Sequence, residues 1–565
     1  MAAKPPVRMP ARGQSAGAPR RPRATRLPPE PPPGGWRAER EWDLLVVGGG
    51  VHGAAIARDA AARGMSVLLV EKNDFASGTS SRSSKLAHGG LRYLEHFEMG
   101  LVRESLHERD ALLRVAPHLS WPLPFLIPLT GPKPRAGWMV RIGLSLYDML
   151  AGRSSLGRHS VISAADAIEL APALENCGMD RAARYFDAGM DDERIVIELV
   201  IDATRLGATC ANHVRAAKLV KRNGRVVGAT LVGAGGATHE ARAKAVVLSS
   251  GPWLDTLAPR RADGSKRLQL TKGVHVFVRR QLVKTAALML AAPQDGRIFF
   301  VIPWKGGSLI GTTDTLHADS ADRVRPSPED VRYLLAAVNK TLPAAKVRAG
   351  EVIAAQAGLR PLIAADRPGR PSSISRDWRL DDAAPGLFVV EGGKYTIFRK
   401  LAERVVDTVA DMLEDEDESR VFGPCITDRR LLPGAAPDWE EARFKLVTRL
   451  SRTVPAASAE HLVARYGGVA KDIVAASSRM KELLRPPCDD HPHLPAEAVH
   501  AVRHELAATP ADALLRRLDL PWWECGGLRC RDTWAAALRH GGLDGDTLVA
   551  GMRAWQRELS RDWRG

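Results

Sequence analysis

No run of about 18 uncharged apolar residues occurs in the 565-residue chain, so nothing in it reads as a bilayer-spanning helix. Residues 1–40 also lack the apolar core of a secretory signal. They hold nine Lys/Arg against two Glu, a net +7, and ten Pro. The prolines argue against the amphipathic helix of a transit peptide, and so polar a segment cannot bury enough apolar surface to offset its ordering entropy, so it reads as a disordered tail. Without interleaved aromatics or a nucleic-acid-binding motif, the basic tail gives no case for nucleic acid as a partner. Cysteine is scarce, with six residues in the whole chain: Cys177, Cys210, Cys425, Cys488, Cys525 and Cys530. That usage suits a reducing compartment and buried thiols, not a disulfide scaffold. Cys525 and Cys530 form C-x4-C, but no partner pair at zinc spacing is recognised beside them. Ordinary cysteines and no metal are therefore expected.

What the sequence does contain is concentrated first in Asp43–Glu71. Leu44–Val47 is a short apolar run, as a strand buried on both faces should be. Gly48, Gly50 and Gly53 then form G-x-G-x-x-G, an Ala-rich helical segment follows, and Ser66–Val70 is a second apolar strand ending on Glu71. In this pattern the first glycine permits the tight turn, the second lets a pyrophosphate approach the backbone, and the third lets helix and strand pack closely. The helix N-terminus offers N–H groups to phosphate. Glu71 stands about where a ribose-binding carboxylate belongs. An adenine dinucleotide is the expected ligand. The hydroxyl-rich stretch 72–86 is too long for a simple turn, and it suits the pyrophosphate and ribityl chain of a flavin dinucleotide better than a nicotinamide cofactor.

Further along, helical patterns are expected from about Phe97 to Val115 and over 135–151. The second combines aliphatics, Trp138 and Tyr147 with Arg135 and Arg141, and suits either a core face or a membrane surface. Residues 214–250 read as strands with a hairpin turn at 222–225. Two stretches, Lys266–Val278 and Arg297–Thr313, read as strands of a substrate domain. Gly386–Lys400 repeats the strand–glycine–helix order. Glu414–Glu418 reads as a solvated linker, and 437–560 as an all-α region without a catalytic motif. With a formal charge of +16, of which +9 lies outside the tail, the folded part is compatible with an anionic membrane surface or an anionic substrate.

The segments VVGGGVHGAAIARDAAARG, SGTSSRSSKLAHGGLRYLE, RIFFVIPWKGGSLIGTTDT, AGLRPL and GGKYTIFRKLAE span residues 42–410. They resemble the membrane-associated, FAD-dependent glycerol-3-phosphate dehydrogenases, within the glycine/D-amino-acid-oxidase-like flavoproteins. The resemblance implies an α/β, Rossmann-like FAD-binding domain with an inserted mixed β-sheet substrate domain, followed by a C-terminal all-α domain. The expected division is a tail over 1–40, an oxidoreductase domain over 41–410 and a helical domain over 411–565. Within 41–410, the FAD-binding parts are about 41–115, 185–265 and 355–410, and the substrate-binding parts about 116–184 and 266–354.

By the same resemblance, FAD is expected against Gly48, Gly50, His52, Gly53, Glu71, Lys72, Thr79, Ser80, Ser81, Lys85, Leu86, His88, Gly89, Gly90, Gly251, Trp253 and Gly393. Arg92 and Lys394 are the expected phosphate-binding pair, with Tyr93 and Thr396 beside them. Cationic side chains suit that task because charge-assisted bonds to phosphate are strong. His275 and Arg360 are the catalytic candidates. An imidazole near its normal pKa suits a base for the C2 hydroxyl, and Arg360 could hold the developing oxyanion. The residues leave the proton acceptor open between them. One departure is visible: the family commonly shows GGKLTTYR where this chain has GGKYTIFR, so hydroxyls are missing at Ile397 and Phe398.

The expected reaction is oxidation of sn-glycerol 3-phosphate to dihydroxyacetone phosphate, with electrons passed to a membrane quinone. The expected setting is a homodimer attached peripherally to the cytoplasmic face of a bacterial inner membrane. The alternatives are an oxidase that uses oxygen, and an FAD-binding homologue that has lost catalysis and acts as an interaction protein.

Overall fold

The first strand, Trp42–Val47, is buried along its whole length, and it pairs in parallel with Val67–Val70 on one side and Thr238–Leu248 on the other. Between the first two strands runs the helix Val51–Ala62, whose small Ala and Gly side chains let it lie close to the sheet. In the computed structural model, residues 40–130, 134–152, 154, 156–261, 263–364 and 377–562 are described. The basic tail expected over 1–40 therefore lies, but for Arg40, outside the described residues.

Two sheets make up the catalytic body. The first runs in the order Trp378–Ala384, Leu387–Gly392, Thr238–Leu248, Trp42–Val47, Val67–Val70, Thr209–Ala211. Its five central strands are parallel; Trp378–Ala384 and the hairpin Val214–Arg222/Arg225–Gly233 add antiparallel edges. The hairpin turn falls at Asn223 and Gly224, both with positive φ, as the sequence signal requires. Helices Val51–Ala62, Asp192–Arg205 and Phe398–Glu416 cover one face and share its apolar core.

The second sheet has ten strands and is largely antiparallel. Leu268–Val278 lies between Gly307–Gly311 and Val352–Ile363, and Ser120–Thr130 lies along Met179–Met190. The mixed sheet expected from the sequence is thus present. Val352–Ile363 pairs with Leu268–Val278 of the second sheet along eleven register positions. The helix Phe398–Glu416 carries the chain past 410 and takes in most of the acidic run expected as a linker. Its apolar face, Leu401, Val405, Val409 and Leu413, is buried and supplies the ordering that the charged tip does not.

From Trp439 to Asp562 the chain is helical. It docks on the catalytic body through buried ion pairs. Arg465 Nη1 meets Asp191 at 2.8 Å, Arg194 meets Glu505 at 2.6 Å, and both Arg516 and Arg517 meet Asp74, while within the helical region Asp519 also accepts from Arg465 at 2.5 Å. Among the described residues no helix is long and apolar enough to cross a membrane.

Candidate active site

A cavity of about 600 Å³ opens between the two sheets and is lined from both. One end is built by the glycine-rich turn. Gly48 has φ +113°, and any Cβ there would collide with the Ser249 carbonyl. A Cβ on Gly53 would collide with the Gly48 carbonyl, so this glycine serves helix–strand packing and does not reach the cavity wall. Gly50 lies on the wall, and an added Cβ would come 3.1 Å from Ser80 Oγ. The Val51 N–H, in the first turn of the helix, donates to Ser80 Oγ at 2.9 Å. Glu71 accepts from the Gly49 N–H at 2.7 Å and the Asn73 N–H at 2.8 Å, and burial raises its pKa against those bonds.

Around this end, Lys72 pairs with Asp322 at 2.8 Å and sits 4.1 Å over the Trp253 ring, whose Nε1–H donates to the same carboxylate. Thr79 Oγ1 donates to the Leu359 carbonyl at 2.6 Å, which ties the hydroxyl-rich loop to the second sheet. His52 Nε2 is 3.3 Å from the Lys394 carbonyl, and burial holds the ring down to about 4. A Cβ on Gly393 (φ +98°) would come 2.6 Å from that ring, so glycine is needed at the close approach. Leu86, His88, Gly90 and Gly251 also reach the wall.

Besides Gly53, three expected cofactor residues do not. The Lys85 ammonium is buried in an ion pair with Asp192 at 2.6 Å and also donates to the Ser81 carbonyl, because the start of the helix Asp192–Arg205 places an acid beneath the loop. Ser81 turns inward and is buried. Gly89 packs against Tyr147 and Leu106, and its N–H donates to Asp187 at 3.2 Å.

At the far end the wall carries Arg92, Tyr93, Lys394 and Thr396 together, although some 300 residues separate the two pairs in sequence. The Lys394 Nζ donates to Ser105 Oγ at 3.0 Å, lies within 3.4 Å of the His88 and Gly89 carbonyls, and sits 4.6 Å over the Tyr93 ring. Thr396 Oγ1 accepts from the His88 N–H at 3.2 Å. Ile397 and Phe398 are buried and off the wall, so the hydroxyls missing from the 394–399 segment are not cavity contacts.

His275 projects from Leu268–Val278 opposite Gly311, where any Cβ would collide with the ring. Its Nε2 is 2.8 Å from Ser84 Oγ. Burial, and after it the positive charges of Arg360 and Lys85, push this imidazole down to about 3, so it is neutral at physiological pH. Arg360 reaches the wall from Val352–Ile363. Its guanidinium meets Asp314 Oδ1 and Thr312 Oγ1, each at 3.0 Å, and the Thr313 carbonyl at 3.2 Å. Ser84, Thr312 and Asp314 were not picked out from the sequence. The loop's run of hydroxyls was the only signal for Ser84, and Asp314 was within reach in the segment ending GTTDT.

These residues fit an FAD: a glycine cradle that a Cβ would block, helical N–H groups at the turn, a buried acid beyond the second strand, and a cavity running to a charged end. A family model described as FAD-dependent oxidoreductase matches residues 43–396, and one described as the C-terminal domain of alpha-glycerophosphate oxidase matches 425–527. The protein is an FAD-dependent oxidoreductase, with FAD as its cofactor. The chain is 34% identical over 496 residues to the aerobic glycerol-3-phosphate dehydrogenase of Bacillus subtilis (strain 168), covering 86% of this chain and 89% of the relative. It therefore belongs to the FAD-dependent glycerol-3-phosphate dehydrogenase family. It is also 36% identical over 482 residues to the D-erythritol 1-phosphate dehydrogenase of Brucella abortus (strain 2308), covering 84% of this chain and 93% of that one. Among solved structures, the glycerol-3-phosphate dehydrogenase from Bacillus halodurans complexed with FAD aligns with a TM-score of 0.74 at 28% identity, over 93% of this chain and 95% of that one.

Proposed function

We propose that this protein oxidises sn-glycerol 3-phosphate to dihydroxyacetone phosphate. The observation that carries the reading is that one cavity wall joins the dinucleotide turn, the Arg92–Lys394 end and a neutral His275. The names of the relatives agree with it. When bound, the flavin supplies the hydride acceptor at N5. The chain's own residues do the rest. Arg92 and Lys394 take the phosphate through charge-assisted hydrogen bonds, which are stronger than neutral ones. His275 is not the near-normal imidazole expected from the sequence but a neutral, weaker base, and it takes the C2 hydroxyl proton as the hydride leaves. Arg360 stays charged at any working pH, so it cannot be that acceptor; it steadies the oxygen as charge develops there.

Electrons then pass to a membrane quinone, and the helix Pro134–Ala151 supports docking on a bilayer. Leu144 and Tyr147 face the core, whereas Trp138, Met139, Ile142 and Met149 are more than half exposed. The short helix Leu91–His96, which carries Arg92 and Tyr93, packs against it and ends on Phe97, 82% exposed. An apolar face of this kind seats at the boundary of headgroups and acyl chains.

A second reading, a longer polyol phosphate as substrate, is favoured by the Brucella abortus relative, whose identity is no lower than that of the Bacillus subtilis one. Quinone-coupled turnover with sn-glycerol 3-phosphate, sn-glycerol 1-phosphate and D-erythritol 1-phosphate in parallel separates the readings. The account expects the first to turn over fastest. Preference for the erythritol ester would replace it, and rapid oxygen consumption without quinone would move the enzyme to the oxidases.

A further inference from the structure

The helical region contains a cluster that the proposed reaction does not use. Cys488 and His491 come from the irregular segment between Leu484 and Pro495, and Cys525 and Cys530 from the one between Trp522 and Arg531. Their ligand atoms all lie within 4.8 Å of one another. Cys488 Sγ is 3.9 Å from both Cys525 Sγ and Cys530 Sγ, and Cys530 Sγ is 3.6 Å from His491 Nε2. We infer that these four residues hold one tetrahedral zinc ion, which staples the two segments together.

The distances decide the chemistry. Bonds of about 2.3 Å to sulfur and about 2.0 Å to nitrogen in a tetrahedron give S···S edges of about 3.8 Å and S···N edges of about 3.6 Å. The three shortest observed edges match these and the remaining ones lie within 4.8 Å, and a disulfide would use only two of the three thiols. A single ion accounts for so tight a set, whereas an iron–sulfur cluster spreads its thiolates around several metal atoms. Three thiolates and an imidazole are soft and borderline ligands of the kind that select zinc.

The surroundings suit a metal-bound thiolate. The Gly527 N–H donates to Cys525 Sγ at 3.3 Å, and the Cys525 N–H donates to Asp490 Oδ2 at 2.8 Å. Gly526 and Gly527, both with positive φ, bend the chain so that Cys525 and Cys530 face each other. The His491 ring stacks on Trp534 at 5.7 Å, which fixes its direction. A nearby trio, His461, His493 and Glu497, is already bonded, with His461 to Glu497 at 2.9 Å and His493 to Asp519 at 3.2 Å, and it carries no such inference.

All four coordination positions come from the protein, and none of the four residues lines the cavity, so the ion is structural. What it steadies is visible. Trp522, three residues before Cys525, packs on Phe277 and Trp304 of the second sheet at 5.6 and 6.2 Å, and its carbonyl accepts from Arg279 at 2.9 Å. The zinc loop therefore holds the helical region against the substrate-side sheet.

The test uses the full-length holoenzyme, purified without chelators from zinc-supplemented medium. Elemental analysis should find about one zinc per chain, released by a mercurial that caps the thiols. Cys525→Ser and the double variant Cys488→Ser/His491→Ala should lose the metal and unfold at lower temperature. Cobalt(II) incorporated into the wild type should give the red-region d–d bands of a tetrahedral thiolate site, where oxidised flavin does not absorb. That readout stands even if the variants do not fold. Wild-type enzyme that carries no stoichiometric metal and takes up no zinc or cobalt, with its thiols free or joined in a disulfide, overturns the inference.

Discussion

Replacing His275 with Asn tests the assignment of the proton acceptor. The side chain is almost fully buried, its ring lies across Gly311, and its Nε2 meets Ser84 Oγ at 2.8 Å. Asn is smaller, keeps a polar group towards Ser84 and removes the basic lone pair. Loss of a positioned general base costs roughly 10²- to 10⁴-fold, or about 3–5 kcal/mol of barrier. Arg92 and Lys394 lie elsewhere on the wall and are untouched, so substrate affinity should move by less than about threefold. The assay is anaerobic stopped-flow reduction of the bound flavin over a range of sn-glycerol 3-phosphate concentrations. The limiting rate should fall by the full factor, and it should rise with pH in the variant as hydroxide substitutes for the imidazole. A variant reduced at the wild-type rate would refute the reasoning, and so would one that loses affinity while keeping its limiting rate.

The same histidine predicts an acid dependence of stability. Its folded pKa, about 3, lies below the 6.5 of an unfolded histidine, so its contribution is intact above pH 6.5 and is lost as pH falls towards 3. His275→Asn should therefore lose less stability than the wild type between pH 6.5 and 4.5, by about 2.3 kcal/mol, read from denaturation at each pH. Asp519 is buried and held far below its usual pKa range, after the cost of burial, by Arg465, Lys305 and His493. Asp519→Ala leaves Arg465 and Lys305 to share Asp191, with one buried carboxylate fewer between them, and should cost about 3–5 kcal/mol, seen as a lowered midpoint in scanning calorimetry. Trp138→Glu with Ile142→Glu should abolish co-sedimentation with anionic vesicles while dye-linked activity stays within about twofold; unchanged sedimentation would remove this helix from the membrane contact.

The parts of this site that are contiguous in the chain were legible in the sequence. Gly48 to Glu71 forms one βαβ unit whose turn, helix and second strand follow from residue order alone, and the hairpin at Asn223–Gly224 is equally local. Pairings across long separations were not. Ser84 reaches His275 over 191 residues, and Lys85 turns to Asp192 over 107, away from the cavity where its motif placed it. Arg360 could be located by its motif, but its bond to Asp314 depends on strand register. The cysteine cluster shows the same limit. Cys525-x4-Cys530 was visible, but its partner Cys488-x2-His491 mixes a thiol with an imidazole and lies over 30 residues upstream. Only the fold brings the two pairs together. The GGKYTIFR departure looked functional in sequence because its neighbours line the cavity, whereas helical geometry turns Ile397 and Phe398 inward.

The most direct test is an anaerobic titration of the purified holoenzyme with sn-glycerol 3-phosphate, following the visible flavin spectrum and assaying the product. The account predicts that the flavin band bleaches and that dihydroxyacetone phosphate appears in an amount equal to the flavin reduced. It also predicts that Arg92→Ala and Lys394→Ala each need at least about tenfold more substrate to reach the same bleaching. A bound flavin that stays oxidised at saturating sn-glycerol 3-phosphate would contradict it.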